Sequence, residues 1–373
     1  MALNILINAI SIKEGGSLVV VRQLVSEFAK ARPETTWYVT TSMPNIQGLD
    51  ELNNVKIISS SWAEKSGFHL RYWYENYLVK LTQTLGINLL YSLTNYLPKH
   101  KLSIPSLLLV QHAGHFSKLF DELTTKDMSF LQKKMWQYKK QWVRKSVSNA
   151  TEVTVQTKAL AKEINRENHL TVISHGPGLS FRPKHTSSLN PNKPVLGYVT
   201  KYGVQKNFSV LIETVKTLCD SGLNPQLILT LDENRPEVVE VMSEIAAAGI
   251  QDHVKNYGEV DQKDIQNIYH EIDIFVFPSL VESFGMPLLE AMSAGLPIVA
   301  ADTLVNREIL GKNAQLFSPH DASDLAEKLS FVTSNEMNFN KASENSLSRI
   351  HDFSWHNAAE KNLVLMDKMI GNA

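Results

Sequence analysis

Short apolar runs rich in β-branched and aromatic residues recur along the chain. Most are followed by a segment whose apolar positions are spaced three and four apart. That alternation predicts parallel strands joined by helices, an α/β class. Strands are expected at Leu3–Ala9, Trp37–Thr41, Val55–Ser60, Asn88–Tyr91, Ser106–Val110, Glu152–Val155 and Leu170–Ile173. They resume at Val195–Thr200, Gln226–Leu231, Val254–Tyr257 and Ile274–Phe277. A helix from Ser17 to Lys30 would bury Leu18, Val21, Leu24, Val25 and Phe28. A longer one, Lys126–Val147, carries Met128, Leu131, Met135, Tyr138 and Trp142 in a stripe expected to be core. Phe353-Ser354-Trp355 opens a last helix with Ala358, Leu363 and Met366. The run His175-Gly176-Pro177-Gly178 and the polar segment Pro183–Pro194 read as a linker.

One stretch carries more chemistry than the rest. Ile274–Phe277 is a buried strand stopped by Pro278 and Ser279, and a loop then leads through Glu282 to Gly285. Pro287 suits a first helical turn, where its missing N–H would have no partner anyway. Leu288, Leu289, Ala291 and Met292 give that helix an apolar face before Gly295 ends it. Open α/β sheets bind ligands at the carboxyl ends of their strands, and a helix N-terminus there favours a phosphate. Glu282 and Glu290 bracket the turn and suit hydroxyl groups better than anions. A phosphate flanked by two hydroxyl-rich groups describes a nucleotide sugar. Lys201 follows the Val195–Thr200 strand and Lys206 opens the next helix, where both could neutralise a diphosphate. Gly15-Gly16 gives a weaker strand–glycine–helix arrangement of the same kind.

Glu282 and Glu290, with SFGMPLL between them and AMSAGLPIVAAD after, resemble the glutamate-pair signature of retaining glycosyltransferases of family four. The resemblance implies the GT-B fold: two Rossmann-like parallel-sheet domains facing a cleft, with a last helix crossing back to the first domain. The expected division is residues 1–182 with 355–373, and residues 183–354. It implies transfer of a hexose from a UDP- or GDP-sugar to a glycan or lipid-linked acceptor with retention, as in surface polysaccharide biosynthesis. By the same resemblance Glu290 would hold the ribose and Glu282 the transferred sugar. Lys201, Lys206, Ser283, Phe284, Gly285 and Met286 would meet the donor, Gly15 and Gly16 would lie near its diphosphate, and His112 near its sugar, His115 less so. The family usually has arginine where Lys201 stands, so the charge is kept and the bidentate fork lost. Attack from the leaving-group face needs no nucleophile on the protein, and none is named. The match is strong only over residues 195–330.

At 373 residues the length suits two domains. No Asp-x-Asp signature is present, so neither a metal nor a cofactor is expected. The lone Cys219 fits a reducing compartment and reads as a packed core residue. No apolar run reaches bilayer length and no secretory leader is apparent, which gives the expectation of a cytoplasmic protein. Residues 1–170 hold 21 Lys and Arg against 13 Asp and Glu, and the remainder 16 against 25. The basic half, its Lys126–Lys145 helix and the aromatic run Phe68–Tyr77 suggest peripheral contact with an anionic membrane, with Lys126, Lys133, Lys140 and Arg144 as the charges. Nucleic acid is not an expected partner. The readings left open are a sugar-nucleotide epimerase or glycoside phosphorylase on the same fold, and a non-catalytic glycan-binding module. A glycosidase is disfavoured, since its two carboxylates must flank one bond.

Overall fold

The computed structural model describes residues 3–164, 170–178, 189–261 and 264–372. The chain forms two compact units, Met1–Gly176 with Ser354–Ala373, and Pro177–Phe353. The boundary expected after residue 182 lies outside the described residues.

In the first unit the described strands are β1 (Asn4–Asn8), β2 (Thr36–Thr41), β3 (Val55–Ser59), β4 (Leu89–Ser92), β5 (Ser106–Val110), β6 (Glu152–Val155) and β7 (Leu170–Val172). They make one parallel sheet in the order β3-β2-β1-β4-β5-β6-β7. Ile5 registers with Trp37 on one side and with Leu89 on the other. The central strands are buried almost throughout, as expected of a sheet covered on both faces. The order reverses between β1 and β4, the point at which such sheets open a crevice.

Two helices cover this sheet and each other. Gly15–Ala31 buries Val21, Leu24, Val25 and Phe28, and packs on Trp355–Gly371, which buries Ala358, Leu363 and Met366. Ser354 caps the second helix through Asn357 N–H. Arg32 Nη1 donates to Asp367 Oδ1 at 2.6 Å. Tyr91 Oη donates to Asn362 Oδ1 at 2.9 Å, both side chains fully buried. A polar cluster sits at the β1/β4 reversal. Asn8 Nδ2 donates to Ser92 Oγ at 3.0 Å and Tyr74 Oη at 3.3 Å, while Asn8 Oδ1 accepts from Ile10 N–H at 3.1 Å.

Several sequence expectations are corrected here. The helix expected over Lys126–Val147 begins instead at Phe130, where Ser129 and Gln132 form a capping box, and runs to Asn149, with a separate helix Lys118–Thr125 before it. The stripe read as core is core only at Trp142, because the N-terminal half of the helix meets its own unit on another side, through Trp136 against His115 and Phe120. Leu131, Met135 and Tyr138 are 69%, 57% and 53% exposed. Lys140, read as a surface charge, is buried and its Nζ lies 2.6 Å from Asp121 Oδ2. In the aromatic run, Trp73 and Tyr74 are core, stacked edge to face at 5.0 Å, while Phe68 and Tyr72 remain exposed.

In the second unit the described strands are β8 (Val195–Tyr198), β9 (Gln226–Leu229), β10 (Val254–Asn256), β11 (Ile274–Phe277), β12 (Ile298–Ala301) and β13 (Gln315–Phe317). Their order is β10-β9-β8-β11-β12-β13, all parallel, with the reversal between β8 and β11. Cys219, near the end of the helix Phe208–Asp220, is partly exposed rather than packed inside.

Replacing Asn8 by Ala would leave the hydroxyls of Ser92 and Tyr74 and the amide of Ile10 short of a buried partner. A loss of about 1–3 kcal/mol is expected, seen as a lower urea midpoint with native secondary structure retained below it.

Candidate functional site

The second unit concentrates its chemistry at the β8/β11 reversal. The chain leaves β8 through a short 3-10 turn, Val204–Lys206, and then Asn207 in the left-handed region (φ 55°) before the helix Phe208–Asp220. Asn207 Nδ2 donates to Pro278 O at 3.2 Å and Pro319 O at 2.7 Å, and Leu280 N–H donates to Gln205 O at 2.9 Å. These bonds stitch the loop after β8 to the loop after β11. They also hold Lys206 against Glu282.

Lys206 Nζ donates to Glu282 Oε1 at 2.6 Å, and Ser279 Oγ donates to the same oxygen at 2.6 Å. The two charged side chains are only 13% and 15% exposed. The ammonium also lies 5.7 Å from the centre of the Phe277 ring. A charge pair this sheltered is costly to break from one side only. Tyr198, fully buried beneath, has its phenol pKa raised well above the ordinary value by burial and by the Glu282 charge.

The turn after Glu282 brings Phe284 inward, edge to face with Phe353 at 5.9 Å. Its side chain is core, 2% exposed, which leaves its backbone to the loop. Gly285 follows at φ 84°, where a side chain is strained, and an added Cβ would also press on Leu288 at 3.2 Å. It is the N-cap of the helix Met286–Ser293, whose first turn no side chain caps. Glu290 lies one turn further along. Tyr269 Oη donates to its Oε2 at 2.9 Å. A Cβ at Gly178 would fall 2.5 Å from Glu290 Oε1 and 3.2 Å from Met286 Cγ, so a side chain there would displace the Glu290 carboxylate. Burial pushes the Glu290 carboxyl up to about 7 despite the Tyr269 hydroxyl, which favours the ionised form.

The expected residues therefore fall into separate groups. Lys206 and Glu282 are in contact, and Gly285 and Met286 start the helix that carries Glu290. Lys201 is half exposed and its Nζ bonds Glu259 Oε1 at 2.7 Å. Ser283 lies in the same loop, partly buried. Gly15, Gly16 and His112 belong to the first unit. Gly15 begins the helix after β1 at φ 67°, and Gly16 follows it. His112 is exposed just beyond β5, and its Nδ1 accepts Gly114 N–H at 3.2 Å. A neutral His112 thus carries its proton on Nε2, as a donor. His115 is buried, which lowers its pKa to about 3 and keeps it neutral. Among the described residues no group of three His, Cys, Asp or Glu could hold a metal ion.

Tyr269 was not singled out from the sequence, while Ser279 was read only as a strand stop and Gly178 only as part of a linker. Tyr269 lies in a helix distant in sequence from Glu290, and nothing in its spacing announces the contact. Ser279 lies two positions past a buried strand, where a hydroxyl reaching the following loop could have been expected.

Residues 182–349 match the family model described as glycosyl transferases group 1. A probable sucrose-phosphate synthase from Vicia faba is 29% identical over 184 residues, 44% of this chain and 17% of the relative. The serotype-specific mannosyltransferase WbdA of Escherichia coli is 31% identical over 102 residues, 27% of this chain and 12% of the relative. The chain spans 12–18% of the length of the curated relatives it matches. Among solved structures, a sucrose-phosphate synthase from Thermosynechococcus elongatus superposes with a TM-score of 0.77 at 18% identity over 100% of both chains. HepE from Anabaena, solved in complex with UDP and glucose, superposes with a TM-score of 0.68 at 16% identity over 98% of this chain and 100% of its own. The fold is GT-B, with two Rossmann-like parallel-sheet units.

A carboxyl held near 7 binds its proton more tightly in the folded protein than in the unfolded chain, where 4.5 is usual. Folding is therefore opposed increasingly as pH rises from about 4.5 through 7, by on the order of 3 kcal/mol once Glu290 is ionised. Glu290→Gln keeps an acceptor for Tyr269 and removes the charge. It is expected to raise the melting temperature at pH 8 and to leave it unchanged at pH 5, as followed by differential scanning fluorimetry.

Proposed function

We propose, from the match of residues 182–349 to the glycosyl transferases group 1 model, that the protein transfers a hexose from a UDP- or GDP-sugar to a glycan or lipid-linked glycan, with retention, in surface polysaccharide synthesis. The observation that carries this reading is the Lys206–Glu282 pair beside an uncapped helix N-terminus, with Glu290 in that helix. A cation and first-turn amides suit a diphosphate. The two carboxylates suit hydroxyls on either side of it.

In the proposed reaction the bond between the sugar's anomeric carbon and the phosphate oxygen breaks, and the electron pair leaves with the nucleoside diphosphate. Lys206 has three N–H donors, so it can keep Glu282 and still take a phosphate oxygen. Its charge is most favourable when the leaving group is most negative. Glu282, steadied by Lys206 and Ser279, accepts from hydroxyls of the transferred sugar, and Glu290 accepts from the ribose. The acceptor hydroxyl attacks from the leaving-group side and gives its proton to the departing phosphate. These protein groups supply the charge stabilisation without a metal ion, and EDTA should leave turnover intact. On the first unit, His112, Gly15 and Gly16 are the groups assigned to the reaction. We place the protein in the cytoplasm, where nucleotide sugars are made.

Thermal-shift screening of UDP-, GDP- and ADP-sugars would identify the donor, because a ligand of the native state raises its apparent stability. With that donor, Lys206→Ala should lower kcat/KM by roughly 10- to 150-fold, the equivalent of one charge-assisted contact of about 1.5–3 kcal/mol. Glu290→Ala should chiefly raise KM and Glu282→Ala chiefly lower kcat. A loss under about threefold for folded Lys206→Ala would remove it from the site. Consumption of donor at the full rate without any acceptor would favour the epimerase reading.

A further inference from the structure

The helix Phe130–Asn149 holds six Lys and Arg and no acidic residue. Only Lys140 of these is buried, in its pair with Asp121. At its N-terminal end the helix presents Phe130, Leu131, Met135 and Tyr138, which are 74%, 69%, 57% and 53% exposed. The last three are spaced four and three apart and continue the line of Trp142, so the stripe that is core at one end runs out into solvent at the other. Lys133, Lys134, Lys139 and Lys145 are exposed around it. Lys134 Nζ lies 4.5 Å from the centre of the Phe130 ring, a cation laid on an apolar tip. On the inner half, the Arg71 guanidinium sits 4.5 Å above the Trp142 ring and brings the helix Gly67–Tyr72 alongside. That helix adds exposed Phe68 and Tyr72.

Large apolar side chains do not stand exposed on consecutive turns without consequence. A protein groove would cover the apolar stripe but would have to supply acidic partners for lysines spread around most of the helix. An anionic lipid surface satisfies both at once, because its headgroups surround whatever inserts between them. We infer that the first two turns of Phe130–Asn149 dock on a membrane rich in anionic phospholipid. Phe130, Leu131 and Met135 insert at headgroup depth, while Lys133, Lys134 and Lys139 contact lipid phosphates. This moves the expected contact away from Lys140 and from Trp73 and Tyr74, all of which are buried. No helix among the described residues is long and apolar enough to cross a bilayer, so the contact is reversible. The inference stands apart from the transfer chemistry.

Sedimentation of the whole protein with vesicles tests it, using phosphatidylcholine alone and phosphatidylcholine with 30% phosphatidylglycerol, a composition chosen to give roughly physiological surface charge. Binding is expected only to the anionic vesicles and should fall steeply with salt. Each lysine exchanged for glutamine should weaken it about fivefold. Phe130→Ser with Leu131→Ser, both at exposed positions, should reduce binding at least tenfold while the charge is unchanged. The thermal shift given by the nucleotide-sugar donor should be the same in all these variants, so a failure of the donor reading is seen separately. Equal sedimentation with neutral and anionic vesicles would overturn the inference, as would none with either. It would also fail if Phe130→Ser with Leu131→Ser abolished a concentration-dependent dimer in protein that binds no vesicles.

Discussion

Parallel strands cannot be joined by a tight turn; each needs a crossover that returns the chain to the starting edge of the sheet. The grouping of polar side chains at the two sheet reversals follows from that requirement. Each strand of a sheet delivers the chain to one common edge, and each crossover helix starts there with its amide donors pointing outward. Lys206 and Glu282 are 76 positions apart in sequence and are brought to hydrogen-bonding distance because β8 and β11 are neighbours. In the first unit the same rule gathers Asn8, Tyr74, Ser92 and Thr94 at the β1/β4 edge.

The second unit treats its two central carboxylates in opposite ways. Glu282 is matched by an ammonium and a hydroxyl in a sheltered place. Glu290 is sheltered with a neutral phenol donor, and its charge is correspondingly disfavoured. One carboxylate is thus nearly settled in the protein alone, while the other would gain most from hydroxyl donors brought by a ligand. Stability given up at such a position is commonly the counterpart of affinity.

Much of the strand pattern was legible because buried parallel strands are continuous apolar runs, and Ile274–Phe277 is one. The Glu282–Glu290 loop was legible because its proline, glycine and carboxylates sit at fixed offsets. The residues that support it were not. Tyr269 reaches Glu290 from a separate helix, and Gly178 matters through the absence of a side chain, which no periodicity records. The helix Phe130–Asn149 shows a different limit. Spacing identifies an apolar stripe but not whether anything covers it. Lys140 was misplaced for a related reason, since its partner Asp121 lies in another helix.

The helix Trp355–Gly371 completes the first unit, although the whole of the second unit is translated before it. Until it emerges, the helix Gly15–Ala31 lacks its partner, Arg32 lacks Asp367, and the Tyr91 hydroxyl lacks Asn362. The unit made first is therefore finished last. A nascent chain must carry an incompletely covered sheet through the synthesis of well over a hundred further residues. A stop codon just before residue 355 would spare every residue of the second unit and unmake the first.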